Sequence, residues 1–78
     1  TGEEAVNMAI KAQIKLELRE HGRIGPKALV DFVRDSMAAK PGGKAPGINK
    51  IRGLAREMAE EGEIMHGGEG KTLEYWLF

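Results

Sequence analysis

The spacing of apolar residues changes at Gly62, and this change constrains the fold more than any other feature of the chain. Before Gly62 the apolar residues recur every three or four positions, as in helices that bury one face. After it Leu73, Tyr75 and Leu77 occupy alternate positions, as in a strand that buries one face. We therefore expect an α+β fold in which helices precede a β-hairpin.

Two helices are expected in the first half of the chain. The first covers about residues 3–21 and ends where Gly22 takes the usual C′ position. Its predicted core stripe is Val6, Ile10, Ile14 and Leu18. The second covers about residues 26–39 and begins at Pro26, since proline suits the first helical position. Its predicted buried face is Leu29, Phe32, Val33 and Met37.

The second half is expected to hold a third helix and the hairpin. Residues 40–47 contain three glycines and two prolines, so they form a loop. The third helix covers about residues 47–61, and the hairpin covers about 63–78 with a turn at the glycines 67, 68 and 70. The side of the third helix that faces the core is predicted to be Ile48, Ile51, Leu54, Ala55, Met58 and Ala59. Arg23 and Ile24 leave room only for a bridge-length strand.

Length and composition indicate what kind of protein this is. Seventy-eight residues form one domain, 1–78, whose small core leaves little room for a substrate cavity. The absence of cysteine excludes disulfide scaffolds and thiolate chemistry, and neither histidine has a partner at metal spacing. We therefore expect no enzymatic activity, no cofactor and no metal. No apolar run could span a membrane, and a cytoplasmic location is expected, or a nucleoid or nuclear one if the protein binds DNA.

One segment looks like a nucleotide-binding motif and is rejected. Residues 67–72, Gly-Gly-Glu-Gly-Lys-Thr, match the end of a phosphate-binding P-loop. The complete pattern requires glycine where Met65 stands, and it requires a long helix after the loop. We interpret the segment as a hairpin turn.

The charges are unevenly distributed along the chain. The twelve basic and twelve acidic residues cancel overall, and residues 1–35 are balanced. Residues 36–56 carry five basic residues and no acidic one, whereas residues 57–78 carry six acidic residues and only Lys71. Such a protein attracts an anion locally without a high net charge. A chance distribution of surface charge is the alternative interpretation.

The outer face of the third helix is the strongest functional candidate. Asn49, Arg52 and Arg56 lie opposite its apolar side, and asparagine and arginine carry the donors and acceptors that match base edges in the major groove. Gly53 lies between them and would permit close approach of the backbone. The alternative is a solvated face with a glycine that is either tolerated there or packed against the first or second helix.

Lysines near the start of this helix form a second candidate site, one for binding phosphate. Lys44 and Lys50 flank backbone N–H groups that favour a phosphate oxygen, and Lys40 lies in the same loop. These residues and Lys71 of the hairpin are therefore candidate contacts to a DNA backbone. The alternative for the loop is a flexible connector.

The first helix has a second apolar line, formed by Met8, Ala12 and Leu16. Helices that are apolar on two sides usually contact something on each side. The line therefore predicts a homodimer or protein-partner interface. Scattered exposed apolar residues on an ordinary surface are the alternative.

The order of these elements resembles the winged helix-turn-helix family over nearly the whole chain. The likeness is carried by Ile14-x3-Leu18-x3-Gly22-x-Ile24, by Ile51-x2-Leu54-x3-Met58-x3-Gly62-x-Ile64 and by Tyr75-x-Leu77. It implies a winged helix, a three-helix bundle with a C-terminal hairpin wing. It also implies double-stranded DNA binding with the third helix in the major groove, mostly in transcriptional regulation.

Two features depart from the family pattern. The loop between the second and third helices has eight residues where many members have a tight turn. The expected wing carries the acidic residues Glu69 and Glu74 as well as Lys71 and His66. A minority of the family are protein-interaction modules. That alternative would use the first helix or the acidic C-terminal part.

Overall fold

The computed structural model describes residues 2–78 and contains three helices and a two-stranded antiparallel sheet. The helices are α1 (Gly2–His21), α2 (Pro26–Ala38) and α3 (Ile48–Glu60). The strands are β1 (Met65–Gly67) and β2 (Glu74–Trp76), joined through a 3₁₀ turn at Gly70–Thr72. The structure is therefore a small α+β fold with helices followed by a hairpin, as the apolar spacing predicts.

Glycine ends α1 and α3 where the sequence indicates. Gly22 has φ of 77° and its N–H donates to the carbonyl of Leu18, while Gly62 has φ of 78°. The N–H of Glu63 then donates to the carbonyl of Met58 over 2.8 Å, which satisfies a carbonyl at the helix end. Both turns need a left-handed conformation that residues with a side chain rarely adopt.

Tyr75 joins the hairpin to the helical part. In the sheet Tyr75 pairs with His66 of β1, and on its other edge it forms an isolated bridge with Ile24. The Tyr75 N–H donates to the Ile24 carbonyl over 2.8 Å, and the Ile24 N–H donates to the Tyr75 carbonyl over 3.1 Å. Ile24 thus forms the expected bridge-length strand.

The core is shared by all three helices and the hairpin. Its buried apolar residues are Ile10, Ile14, Leu18, Leu29, Val30, Val33, Ile51, Leu54, Ala55, Met58, Ile64 and Tyr75. Trp76 is half-buried, in agreement with its place out of phase with Tyr75. No helix within residues 2–78 combines the length and hydropathy needed to cross a bilayer.

The prediction that Val6 lies in the core is wrong, since 47% of its surface is exposed. Phe32 of α2 stacks on His21 of α1, and Ser36 forms a hydrogen bond with Glu17. These two contacts show that α2 packs antiparallel to α1. Because α2 ends at Ala38, it stops before it reaches the first turns of α1. No second helix therefore covers Val6 from that side.

Six other residues that were assigned to the core or to the buried strand face are not fully buried. Ile48 is 48% exposed because it is the first residue of α3 and borders an open groove beside α2. Phe32 is half-buried, and Met37, Ala59 and Leu73 are half-buried where they pack against the core. Val30, which was not expected in the core, is buried. Leu77 is half-buried because it follows the last paired residue of β2.

Candidate functional site

One side of α3 is exposed and basic. Its opposite side packs Ile51, Leu54 and Met58 into the core, so the polar residues between them point outward. Four of these residues line a single shallow depression, which we call the α3 face: Asn49, Arg52, Gly53 and Arg56. All four are exposed, and none is acidic. The structure thus brings together the three predicted base-edge residues and the predicted close-approach glycine.

Gly53 leaves bare backbone at the centre of the α3 face. A Cβ built on this residue would have no atom of the described residues outside its local helix within 4 Å. Internal packing therefore does not require glycine at this position, and the interpretation of Gly53 as a contact with α1 or α2 is wrong. A glycine inside a helix costs about 1 kcal/mol relative to alanine, so its presence has no structural explanation here.

Arg52 also belongs to a groove formed by three separate elements. Lys27 comes from the first turn of α2, Arg52 from α3 and Lys71 from the 3₁₀ turn, with Leu73 among the apolar lining residues. We call this the basic groove. Asp31 is the acidic residue among those that line it. A ligand in this groove would meet three cations from parts of the chain that are distant in sequence.

Lys27 was missed by the sequence reasoning, although a weak signal was present. The first turn of α2 has no acidic residue, and Pro26 at its start places Lys27 at the second helical position. Backbone N–H groups at a helix start are unpaired and carry partial positive charge. Only the fold shows that Lys27 shares a groove with Arg52 and Lys71.

Three ion pairs connect α1 to α3 and to the segment that follows α3. Lys11 lies 3.4 Å from Glu57, Lys15 lies 3.6 Å from Glu63, and Lys50 lies 3.4 Å from Glu3. The first two pairs engage acidic residues of the C-terminal segment. They therefore reduce the acidic field beside the α3 face.

The other lysines that were predicted to contact a DNA backbone lie in different environments. Lys50 is half-buried, and its ammonium group is engaged with Glu3 of α1. Lys40 and Lys44 are exposed in the loop, and neither lines the α3 face or the basic groove. Arg34 Nε donates to the Pro46 carbonyl over 3.0 Å, which attaches the loop to α2. This contact argues against a wholly free connector.

A polar cluster at the end of α1 was not expected. Glu17 is buried, and Gln13 Nε2 and Ser36 Oγ both donate to its Oε2 atom. His21 Nε2 lies 3.4 Å from Glu17 Oε1. Gln13, Glu17 and His21 are spaced four residues apart along α1, which is visible in the sequence. The contribution of Ser36 from α2 is not.

The statement that neither histidine has a partner at metal spacing is wrong for His21. Glu17, Glu20 and His21 can each place one ligand atom within 4.8 Å of the others. Because Gln13 and Ser36 already satisfy Glu17, the cluster has a structural explanation without an ion. We assign it to the packing of α1 against α2.

The second apolar line of α1 lies on the surface. Met8 is 71% exposed, Leu16 is 52% exposed and Ala12 is exposed between them. This line faces away from Ile10, Ile14 and Leu18, which pack in the core.

Together these features define a small α+β protein with a basic α3 face, a basic groove beside it and an apolar strip on α1. Comparison of the chain with protein-family models, with curated proteins and with solved structures gave no significant match.

Proposed function

We propose that this chain is a winged-helix domain that binds double-stranded DNA, with α3 in the major groove and the hairpin as the wing. The observation that carries the proposal is the α3 face, where Asn49, Arg52 and Arg56 surround the bare backbone of Gly53. An α-helix fits the major groove of B-DNA, and these side chains have the hydrogen-bonding groups to read bases there. Transcriptional regulation is the use we propose for such a module.

The basic groove supports the proposal because it adds cations beside the α3 face. DNA affinity depends mainly on the neutralisation of phosphates by lysine and arginine. Lys27 and Lys71 lie on two other elements and share the groove with Arg52. A DNA strand passing along α3 would therefore meet positive charge both on the α3 face and in the groove beside it.

Each predicted residue has a role in this proposal. Asn49, Arg52 and Arg56 contact base edges or nearby phosphates, while Gly53 permits close approach. Lys71 and Lys27 contact the DNA backbone, and Lys40 and Lys44 reach its phosphates from the loop. Lys50 can join them only if its ammonium group leaves Glu3, because the two lie 3.4 Å apart.

The overall neutrality of the chain is compatible with DNA binding. Glu57 and Glu63 are paired with Lys11 and Lys15 of α1, so part of the acidic C-terminal charge is neutralised locally. The α3 face itself contains two arginines and no carboxylate. The field at that face therefore differs from the average over the molecule.

The experiment that tests the proposal measures duplex binding by fluorescence anisotropy as a function of salt. A preferred duplex is first selected from a random library, and a mixed-sequence duplex serves for comparison. Arg52→Ala is expected to weaken binding to the preferred duplex by about 1–3 kcal/mol, as for loss of a bidentate base contact, and to weaken the mixed duplex less. Lys71→Ala is expected to weaken both equally and to reduce the salt slope by about one phosphate.

Arg19→Ala is the matched control for these variants. It removes an exposed arginine from α1, outside the α3 face and the basic groove, and should leave both affinities unchanged. Absence of duplex binding at low salt, with the fold intact, would refute the proposal.

A second candidate function is a protein-interaction module. The observation that favours it is the exposure of Met8 and Leu16 on one strip of α1, because apolar residues that share a surface often mark a contact. The acidic C-terminal part is a weaker candidate interface, since Glu57 and Glu63 are engaged with lysines. A module of this kind alone should show no salt-dependent duplex binding.

A further inference from the structure

We propose that the basic groove binds an acidic segment of a partner protein, which inserts one aliphatic side chain into a pit at the edge of the groove. The pit lies between α2, α3 and the hairpin. Pro26, Arg52 and Leu73 line both the pit and the basic groove, so the two are continuous. A segment lying in the groove can therefore reach the pit with a side chain.

The pit is apolar and is bordered by two cations. Leu29, Val30 and Ala55 are among the residues that line it, and Arg52 and Arg56 are the charged ones. Its volume is about 40 Å³. A cavity of about 10–15 Å³ holds one water molecule, so the pit has room for one aliphatic side chain. A phosphodiester backbone carries no such side chain, and the pit therefore favours a peptide as the ligand.

The charge of the groove is complementary to an acidic peptide. Its cations are Lys27, Arg52 and Lys71, all exposed, and its acidic residue is Asp31. None of the three cations forms an ion pair with a residue of the described part of the chain. Their charge is therefore available to carboxylates of a ligand, and arginine binds a carboxylate through two parallel hydrogen bonds.

The groove continues along α2 to a second apolar residue. A depression that shares Lys27, Asp31 and Arg52 with the basic groove is also lined by Val30 and Ile48. Ile48 is among the large apolar residues that are exposed. Apolar surface thus lies on both sides of the cations. An acidic segment that also carries aliphatic residues would cover this surface, whereas a row of phosphates would leave it exposed to water.

A bound acidic segment would also compete with DNA. Arg52 lines both the basic groove and the α3 face, so its guanidinium group cannot serve the two ligands at once. This consequence rests on the proposed function, but binding of the segment itself does not.

Fluorescence anisotropy with a labelled synthetic peptide tests the proposal, in the absence of DNA. The peptide has a central leucine flanked by aspartate and glutamate residues. The unmodified chain should bind it, and replacement of the leucine by serine should weaken binding about tenfold or more because the pit is then left empty. Equal affinity for the two peptides would overturn the proposal, since the groove would then recognise only negative charge, as a phosphate site does. No binding of the leucine peptide would also overturn it. Because no DNA is present, neither result bears on duplex binding by α3.

Charge variants test whether the peptide lies in the basic groove. Lys71→Glu should weaken binding of the leucine peptide at least tenfold, whereas Arg19→Glu makes the same change of charge on α1 and should have no effect. Asp31→Asn should strengthen binding several-fold, and Asp35→Asn, on the same helix but outside the groove, should not. All four residues are exposed, so the helical circular dichroism should be unchanged. Equal losses in Lys71→Glu and Arg19→Glu would overturn the assignment to the groove.

Discussion

Arg23 lies over the ring of Trp76, with the guanidinium carbon 3.8 Å from the ring centroid. The same ring lies against Gly67, where a Cβ would approach its Cη2 atom to 2.9 Å. Trp76 and Gly67 belong to opposite strands of the hairpin, and Arg23 belongs to the segment that links α1 to α2. One indole ring thus connects the hairpin to the helical part, next to the bridge between Ile24 and Tyr75.

Replacing Arg23 with alanine should loosen the hairpin without unfolding the protein. An exposed cation–π contact contributes about 0.5–1 kcal/mol, so the loss of stability should be of that size. The emission of Trp76, the only tryptophan, should shift to longer wavelength because its ring becomes more hydrated. Arg19→Ala, which removes an exposed arginine from α1, should leave the emission unchanged. An unshifted spectrum in Arg23→Ala would contradict the stacking.

The buried carboxylate of Glu17 should make Ser36 important for stability. Ser36→Ala leaves Oε2 of Glu17 with one hydrogen-bond donor in place of two, and the loss of one hydrogen bond costs about 0.5–1.5 kcal/mol. Urea denaturation followed by circular dichroism measures this loss. Asp35→Ala is the control, because Asp35 is exposed beside Ser36 on α2 and lies outside the cluster. Equal stabilities for both variants would mean that the cluster contributes nothing.

The burial of the hairpin residues predicts unequal effects of truncation. Ile64 is 1% exposed, so Ile64→Ala should cost about 2–5 kcal/mol. Leu77 is half-buried, and Leu77→Ala should cost about half as much, since less apolar surface returns to water. Chemical denaturation of both variants gives the comparison. A cost for Leu77→Ala equal to that for Ile64→Ala would show that the C-terminal segment packs more deeply.

The helices and the hairpin could be predicted because each depends on local signals. Apolar period, Pro26 and the glycines at 22 and 62 locate the helix ends without any knowledge of tertiary contacts. Burial was harder to predict, because it depends on how far a neighbouring helix extends. Val6 continues the stripe of α1, yet α2 ends before it can cover that turn.

The candidate site was predictable only where it lies on one element. Asn49, Arg52, Gly53 and Arg56 recur on one side of a single helix, and the structure places them in one depression. The basic groove joins residues from three elements, so no spacing in the sequence could reveal Lys27 as a neighbour of Lys71. The engagement of Lys50 with Glu3 was hidden for the same reason.

Releasing Lys50 from Glu3 should strengthen DNA binding. Glu3→Gln removes the carboxylate, and the stability should change by less than about 1 kcal/mol because exposed ion pairs contribute little. The freed ammonium group should make the salt dependence of duplex affinity steeper, by the equivalent of at most about one phosphate contact. Glu60→Gln, on the exposed end of α3, controls for the change in net charge. Identical salt slopes for the two variants would exclude Lys50 from the interface.

The most direct test of the proposed function is a titration of the isotopically labelled protein with a mixed-sequence duplex, followed by amide chemical shifts. We expect the largest changes at the backbone of the α3 face, at Asn49, Arg52, Gly53 and Arg56, with smaller ones at Lys27 and Lys71. These changes should reverse when salt is added, because released counterions drive the binding. Changes confined to the exposed apolar line Met8, Ala12 and Leu16 of α1, or no changes at low salt, would contradict the account of α3 as the helix that reads DNA.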